Sequence, residues 1–342
     1  MRTARIILLA LLALLVAATG AFAQAKKMKA GFIYVGPIGD MGWSHAHEVG
    51  RRYAVSKLPW LETVFVESVP EGDASRIIDR LIQEEKCDVV FTTSFGYMDD
   101  TVKAGERYPN NLFMHCSGFK QSKNVGTYFA ELYQMYYLNG MMAGALTKSN
   151  KIGYVGAFPI PEVVRHIDAY ALGVKATNPK AKVQVRWINS WYDPAKAKEA
   201  AEALVADGCD ALAFTEDSAS VIEVGQEHTK KGKPVYTFSH YSPMQQFGPD
   251  SCVSGQLVDW GVMYEKILLD IQNKTWTKDD MWWLTKEGAA KLGGSLTEAV
   301  NPKFVSALKA KKVALKDLGS VSVYDAVMKR YEQMKKGRDA FD

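Results

Sequence analysis

The sequence predicts an α/β protein made of two similar lobes, each a parallel sheet covered by helices, joined by a multi-strand hinge. Three observations predict it. A short apolar run ending in Gly and Pro occurs twice, as GFIYVGPIGDMGW at 31 to 43 and KIGYVGAFPIPEV at 151 to 163, the pattern of a buried strand running into a loop. The repeat continues at one offset: Tyr34 matches Tyr154, Asp73 matches Asp193, and Cys87 in EEKCDVVFTTSF matches Cys209 in ADGCDALAFTED after a small slip. In both copies strand-like runs alternate with helix-length segments, which implies βαβ units with right-handed crossovers.

In the first lobe the pattern gives strands at 29–36, 63–69, 89–94 and 112–117, with helices at 44–57, 73–86 and 99–108 between them. The helix from Asp73 carries Ala74, Ile77, Ile78, Leu81 and Ile82 on one stripe, and Asp73 is placed to cap it. The second lobe repeats the plan, with strands at 151–156, 182–190, 211–214 and 235–238 and helices at 161–177, 194–206 and 218–231. Asp193 before Pro194 joins a cap to a first-turn proline, and Gly208 marks the stop. Two further equivalent runs, 124–131 and 252–259, each end in an acid and precede a helix, at 134–147 and 264–272. They read as hinge strands, each leaving one sheet and delivering its helix to the other lobe, with a third crossing near Trp276 to Trp283. Lobe one is then 28–128 plus about 257–280, and lobe two 129–256 plus about 281–342. The Lys-rich tail from Asn301 is helical in pattern, and its charges form a solvated face.

Residues 1 to 23 read as a cleavable secretory signal peptide: Arg2 and Arg5 open it, Ile6 to Val16 is apolar, and Ala21-Phe22-Ala23 precedes Gln24. No cysteine stands at that site, so the expectation is a soluble, periplasmic protein without a lipid anchor. The net charge of +4, half of it at Arg2 and Arg5, gives no electrostatic support for nucleic-acid binding. A hydrophobic fraction of 47% fills the cores of two lobes. Cys87, Cys116, Cys209 and Cys252 are expected as unpaired structural thiols, because Cys87 and Cys209 stand where strands enter the sheets. His45 and His47 match no metal-site spacing on a helix, and no cofactor or metal is expected.

In open parallel sheets ligands sit beyond the carboxyl ends of the strands. That rule collects Tyr34, Asp40 and Trp43 after the first strand, Phe95 after the third, and Trp191 after the second strand of lobe two. It adds Phe214, Glu216 and Asp217 after the third strand of lobe two, and Asp259 and Trp260 at the second hinge. A single Trp at a strand end is ordinary core, and Asp40, Asp99, Asp193 and Ser218 each suit a helix cap. The convergence of aromatics and acids on one rim from both lobes points instead to a flat heterocycle with N–H donors. A sugar, which also stacks on Trp, is the alternative.

The stretches GFIYVGPIGDMGWSHAHEVGRR, FTTSFGYMD, YVGAFPIPEVVRHIDAYALGVKATNP, WINSWYDP and VDWG make the mature chain resemble the basic membrane protein (Bmp) family. The resemblance implies a solute-binding protein of an ABC importer, with the type I periplasmic-binding-protein fold, a permease partner in the inner membrane and a monomeric state. Members bind purine nucleosides or related compounds, which carries base stacking to Trp43, Phe95 and Trp191, and polar contacts to Glu216, Asp217 and Asp259. Two departures stand out. The family's nucleoside receptors are typically lipoproteins, and this chain lacks the lipid-bearing cysteine. They also carry a lysine near the ribose where this chain reads Val258-Asp259-Trp260-Gly261, so a free base such as adenine is expected over the nucleoside. The expected mechanism is hinge closure over the ligand, in a form the permease or, alternatively, a chemosensory receptor recognises. An enzyme is not expected: the glycines of GPIGDMG are spaced GxxGxxG instead of GxGxxG despite Glu67 after the next strand, and no GxSxG is present.

Overall fold

The computed structural model describes residues 26–339; the expected signal peptide lies outside the described residues. Two six-stranded sheets make the frame. In the first, strands β1 (Met28–Ile33), β2 (Leu61–Val66), β3 (Val89–Thr92), β4 (Leu112–Cys116) and β5 (Val125–Ala130) are joined by β11 (Met281–Trp283), in the order β11-β5-β4-β3-β1-β2, parallel throughout. The second holds β6 (Lys151–Gly156), β7 (Lys182–Trp187), β8 (Ala211–Thr215), β9 (Tyr236–Tyr241), β10 (Cys252–Val258) and β12 (Ala290–Leu292), in the order β12-β10-β9-β8-β6-β7. Only β12 runs antiparallel there, against β10. Strands such as β3, β5 and β8 are buried at every position, as parallel strands covered on both faces must be, which explains their unbroken apolar runs.

The helices are α1 (Trp43–Lys57), α2 (Ala74–Gln83), α3 (Met98–Arg107), α4 (Tyr133–Leu146), α5 (Pro161–Thr177), α6 (Pro194–Ala206), α7 (Ser220–Lys230), α8 (Trp260–Gln272), α9 (Pro302–Ala310) and α10 (Val323–Lys335). The stripe Ala74, Ile77, Ile78 and Leu81 of α2 is buried against Val90, Phe113 and Val125, as the spacing requires. The exchange of helices between lobes is present too: α4 follows β5 of the first sheet yet packs on α5, and α8 follows β10 of the second yet packs on α1. Because α4 is enclosed, Gln134 through Leu146 are all buried. Its seam with α5 is glycine-lined: a Cβ on Gly140 would lie 2.1 Å from the Tyr170 carbonyl oxygen, and one on Gly173 1.9 Å from that of Tyr137.

Some expectations change. Asp73 makes no side-chain cap, because residues Glu71–Asp73 form a 3-10 turn that runs straight into α2. Asp193 does cap α6, accepting from the Lys196 N–H at 3.0 Å, and Gly208 has φ +91° just past the helix end. The tail is not helical throughout: an antiparallel hairpin, β13 (Lys312–Leu315) with β14 (Gly319–Ser322), interrupts it, turning at Gly319 with φ +67°. All four cysteines are free and buried. Among the described residues no helix is long and apolar enough to cross a membrane.

Candidate functional site

A narrow cavity of about 20 Å³ lies between the sheets. Val35, Trp43, Ser94, Phe95 and Ser117 line it from the first sheet's side. Glu162, Trp191, Asp217 and Tyr241 line it from the second. All follow or end strands at their carboxyl edge, or stand in the first turn of the helix that comes next, so the topology rule for open sheets holds in both lobes. Val35 and Trp191 also border an adjoining open depression with Glu71, Phe158 and Asn189.

Direct contacts bridge the lobes around this cavity. The Trp43 N–H donates to Asp217 Oδ1 at 3.2 Å, and the Ser242 hydroxyl to the Gly42 carbonyl at 3.4 Å. The Trp191 indole N–H donates to Glu71 Oε1 at 3.3 Å, and Glu71 also accepts from Ser94 Oγ at 2.6 Å and the Gly96 N–H at 2.9 Å. Ser117 donates to Glu162 Oε2, whose other oxygen accepts from the Tyr241 hydroxyl at 3.1 Å. Trp43 meets Tyr241 edge to face, ring centroids 5.0 Å apart, and its indole N–H donates to the Thr93 carbonyl. Phe158 packs on Trp191 at 5.0 Å.

Of the residues collected from the sequence, Trp43, Phe95, Trp191 and Asp217 come together in the cavity. The others lie elsewhere. Tyr34 is fully buried, its hydroxyl donating to Glu48 at 3.2 Å and its ring beside Phe65, because strand residues alternate faces and the one aimed at the cavity is Val35. Phe214 is fully buried in the lobe-two core with Val155 and Leu212. Asp40 is a turn and helix-start acceptor, taking the N–H groups of Gly42 at 2.8 Å, Ser44 at 3.0 Å and His45 at 2.9 Å. Glu216 is sealed beside Ser218, which donates to its Oε1 at 3.1 Å. Asp259 pairs with Lys291 at 2.8 Å on a separate groove. Trp260 sits behind Trp43, 1% exposed, stacked on His47 at 4.3 Å, because it opens α8 where that helix presses on Gly50 of α1. It stands behind the cavity wall. His45 and His47 have separate partners, Ile38 O and the Tyr264 hydroxyl.

Sequence reasoning missed Val35, Ser94, Ser117, Glu162 and Tyr241. Extending the strand-end rule to the fourth strand of each lobe finds Ser117 after β4 and Tyr241 at the end of β9. Glu162 was visible in PIPEV but reads as an ordinary first-turn acid.

The site is acidic and largely buried. Burial pushes the carboxyls of Asp217 and Glu216 well above their usual range, and the neighbouring charges of Asp40 and, for Asp217, Glu216 add to it. Burial raises Asp40 to about 6 against the lowering effect of its three backbone N–H donors. Glu162 is also raised by burial, with His166 and the hydroxyls of Ser117 and Tyr241 working the other way. Such groups favour hydrogen-bond donors and cations as neighbours.

Two α/β lobes linked by crossing strands, with a cavity at the facing strand ends, define a type I periplasmic binding protein. An ABC transporter solute-binding protein of Aeropyrum pernix has this fold, with TM-score 0.75 at 15% identity over 92% of this chain and 94% of that one. Residues 27–321 match the family of PnrA-like ABC transporter substrate-binding proteins, and the chain belongs to that Bmp family. Among curated relatives, a purine-binding protein of Brucella abortus is 38% identical over 80% of this chain and 77% of its own length. A putative ABC transporter glucose-binding protein of Haloferax volcanii is 37% identical over 80% of this chain and 68% of its own length. The family works outside the cytoplasm, binds a small molecule and hands it to a membrane permease; it is not a family of enzymes.

Proposed function

We propose that the protein is a periplasmic purine-binding component of an ABC importer, with a free base such as adenine preferred over the nucleoside. The observation that carries this reading is a single slot with aromatic walls from both lobes, Trp43 and Phe95 opposite Trp191 and Tyr241, between buried acids Asp217 and Glu162. A planar π-system admitted when the lobes part suits such aromatic walls, and its N–H groups meet the carboxyls. The family's nucleoside receptors carry a lysine near the ribose where this chain reads Val258-Asp259-Trp260-Gly261, which favours a base over a base with ribose. Trp260 itself adds nothing to this preference, because it lies behind the wall. The purine-binding relative supports the same class. Ligand docks on one rim, the other rim closes through the Asp217, Glu71 and Glu162 contacts, and the permease receives the closed form.

A sugar is the second reading, favoured by the glucose-binding name of a relative of nearly equal identity. Isothermal titration with adenine, adenosine, hypoxanthine and glucose separates the readings. Adenine is expected to bind tightest; tighter adenosine reverses the base choice, and glucose binding without purine binding removes the reading altogether.

A further inference from the structure

Two residues with matching places in the two lobes converge on one carboxylate. Ser117 follows the last residue of β4 and Tyr241 is the last residue of β9, the fourth strand of each lobe. Both have left-handed backbones, φ +68° and +61°, which residues other than glycine seldom adopt and which cluster at functional sites. Both turn a hydroxyl to Glu162: Tyr241 donates to Oε1 at 3.1 Å and Ser117, from the opposite lobe, to Oε2. Glu162 stands in the first turn of α5 after Pro161, is 6% exposed and lines the cavity. A carboxylate offers about four acceptor positions, so two hydroxyls leave capacity for a donor from the cavity. No arginine or lysine takes that capacity among its described contacts; the titratable groups around it are His166 on its own helix, Glu131 beyond it and Asp217 on the same side of the cavity. His166 is itself engaged by Glu131 at 2.9 Å.

We propose that Glu162 is a specificity-determining residue of this site, accepting an N–H of the bound base while its Ser117 contact ties that recognition to the meeting of the lobes. The inference rests on the purine reading above. Tyr241 fixes the carboxylate within its own lobe, and the strained turn at Ser117 aims the other hydroxyl across the gap. An open lobe pair lacks the Ser117 donor, so Glu162 receives its full complement of donors only with the lobes together and the base in place.

The test is titration of wild type, Glu162→Gln and Ser117→Ala with adenine, with purine lacking the 6-amino group, and with 9-methyladenine. Glutamine keeps the shape but presents an amide N–H toward a donor, so adenine is expected to bind Glu162→Gln more weakly by roughly tenfold or more. The loss must disappear for the analogue that lacks the N–H Glu162 accepts; an equal loss for all three compounds means a general disturbance and overturns the inference. Ser117→Ala is expected to weaken adenine by about threefold and to reduce ligand-induced compaction in small-angle scattering, while keeping the order of preference among the compounds. If Glu162→Gln does not fold, unchanged affinity and compaction in Ser117→Ala overturn the inference. A wild type that binds none of the three removes the purine reading and this inference together, whereas a wild type and Glu162→Gln that bind adenine equally remove this inference alone.

Discussion

Replacing Gly42 with alanine is expected to hold the lobes apart. Gly42 lies between β1 and α1, and a Cβ built on it would stand 2.6 Å from Asp217 Cα and 3.0 Å from its carbonyl carbon, in the opposite lobe. Ordinary contact for such an atom is 3.4–4 Å, and the obstacle is backbone that no rotamer change can clear. The lobes must therefore part locally by about 1 Å, which stretches the 3.2 Å Trp43 N–H to Asp217 bond past hydrogen-bonding range. A lost hydrogen bond costs about 0.5–1.5 kcal/mol, so affinity for adenine, or for whichever ligand the titration panel identifies, should fall roughly two- to tenfold. Titration calorimetry reads the affinity, small-angle scattering reads compaction on ligand addition, and a thermal melt of the ligand-free protein serves as the folding control. A Gly42→Ala protein that binds and compacts like wild type refutes the claim that this contact belongs to the closed form.

Three further outcomes follow from the same geometry. Unfolded carboxyls titrate near ~4, whereas Asp40 is raised to about 6 and Asp217 and Glu216 are raised further; the folded chain thus holds extra protons across that window, and stability falls as pH rises through it. Asp217→Asn should flatten the fall in thermal melts as pH rises above ~4; an unchanged slope contradicts it. Burial pushes Cys87 up to about 12 and Cys209 and Cys252 to about 11, so a thiol-specific disulfide reagent should label nothing in the native protein and all four cysteines after denaturation. Asp193→Ala should cost about 1 kcal/mol in denaturant unfolding through its lost cap, while Asp73→Ala, which loses none, should cost far less; equal losses would refute the assignment of caps.

The duplication was legible because both copies keep the same strand ends, and it led directly to Trp43, Phe95, Trp191 and Asp217. What could not be read was side-chain direction. Tyr34 and Val35 are neighbours, and only the register of β1 decides which one faces the core. Trp260 looked like a ligand contact because its position in VDWG replaces a lysine, yet it is the packing of α8 on α1 that turns it behind Trp43. Asp40 and Glu216 show the reverse ambiguity: an acid at a strand end is equally a turn acceptor or a binding group until its N–H neighbours are known. The tail hairpin escaped because KVAL and GSVS are too short to show a period against their lysines.

The seam between α4 and α5 bears on how the molecule moves. With glycine at both Gly140 and Gly173, the two helices touch main chain to main chain and have no side-chain layer in which to slip. Within lobe two the helices are thus held as one block, an anvil whose face would keep Glu162 and Tyr241 in fixed relation through any closing of the lobes.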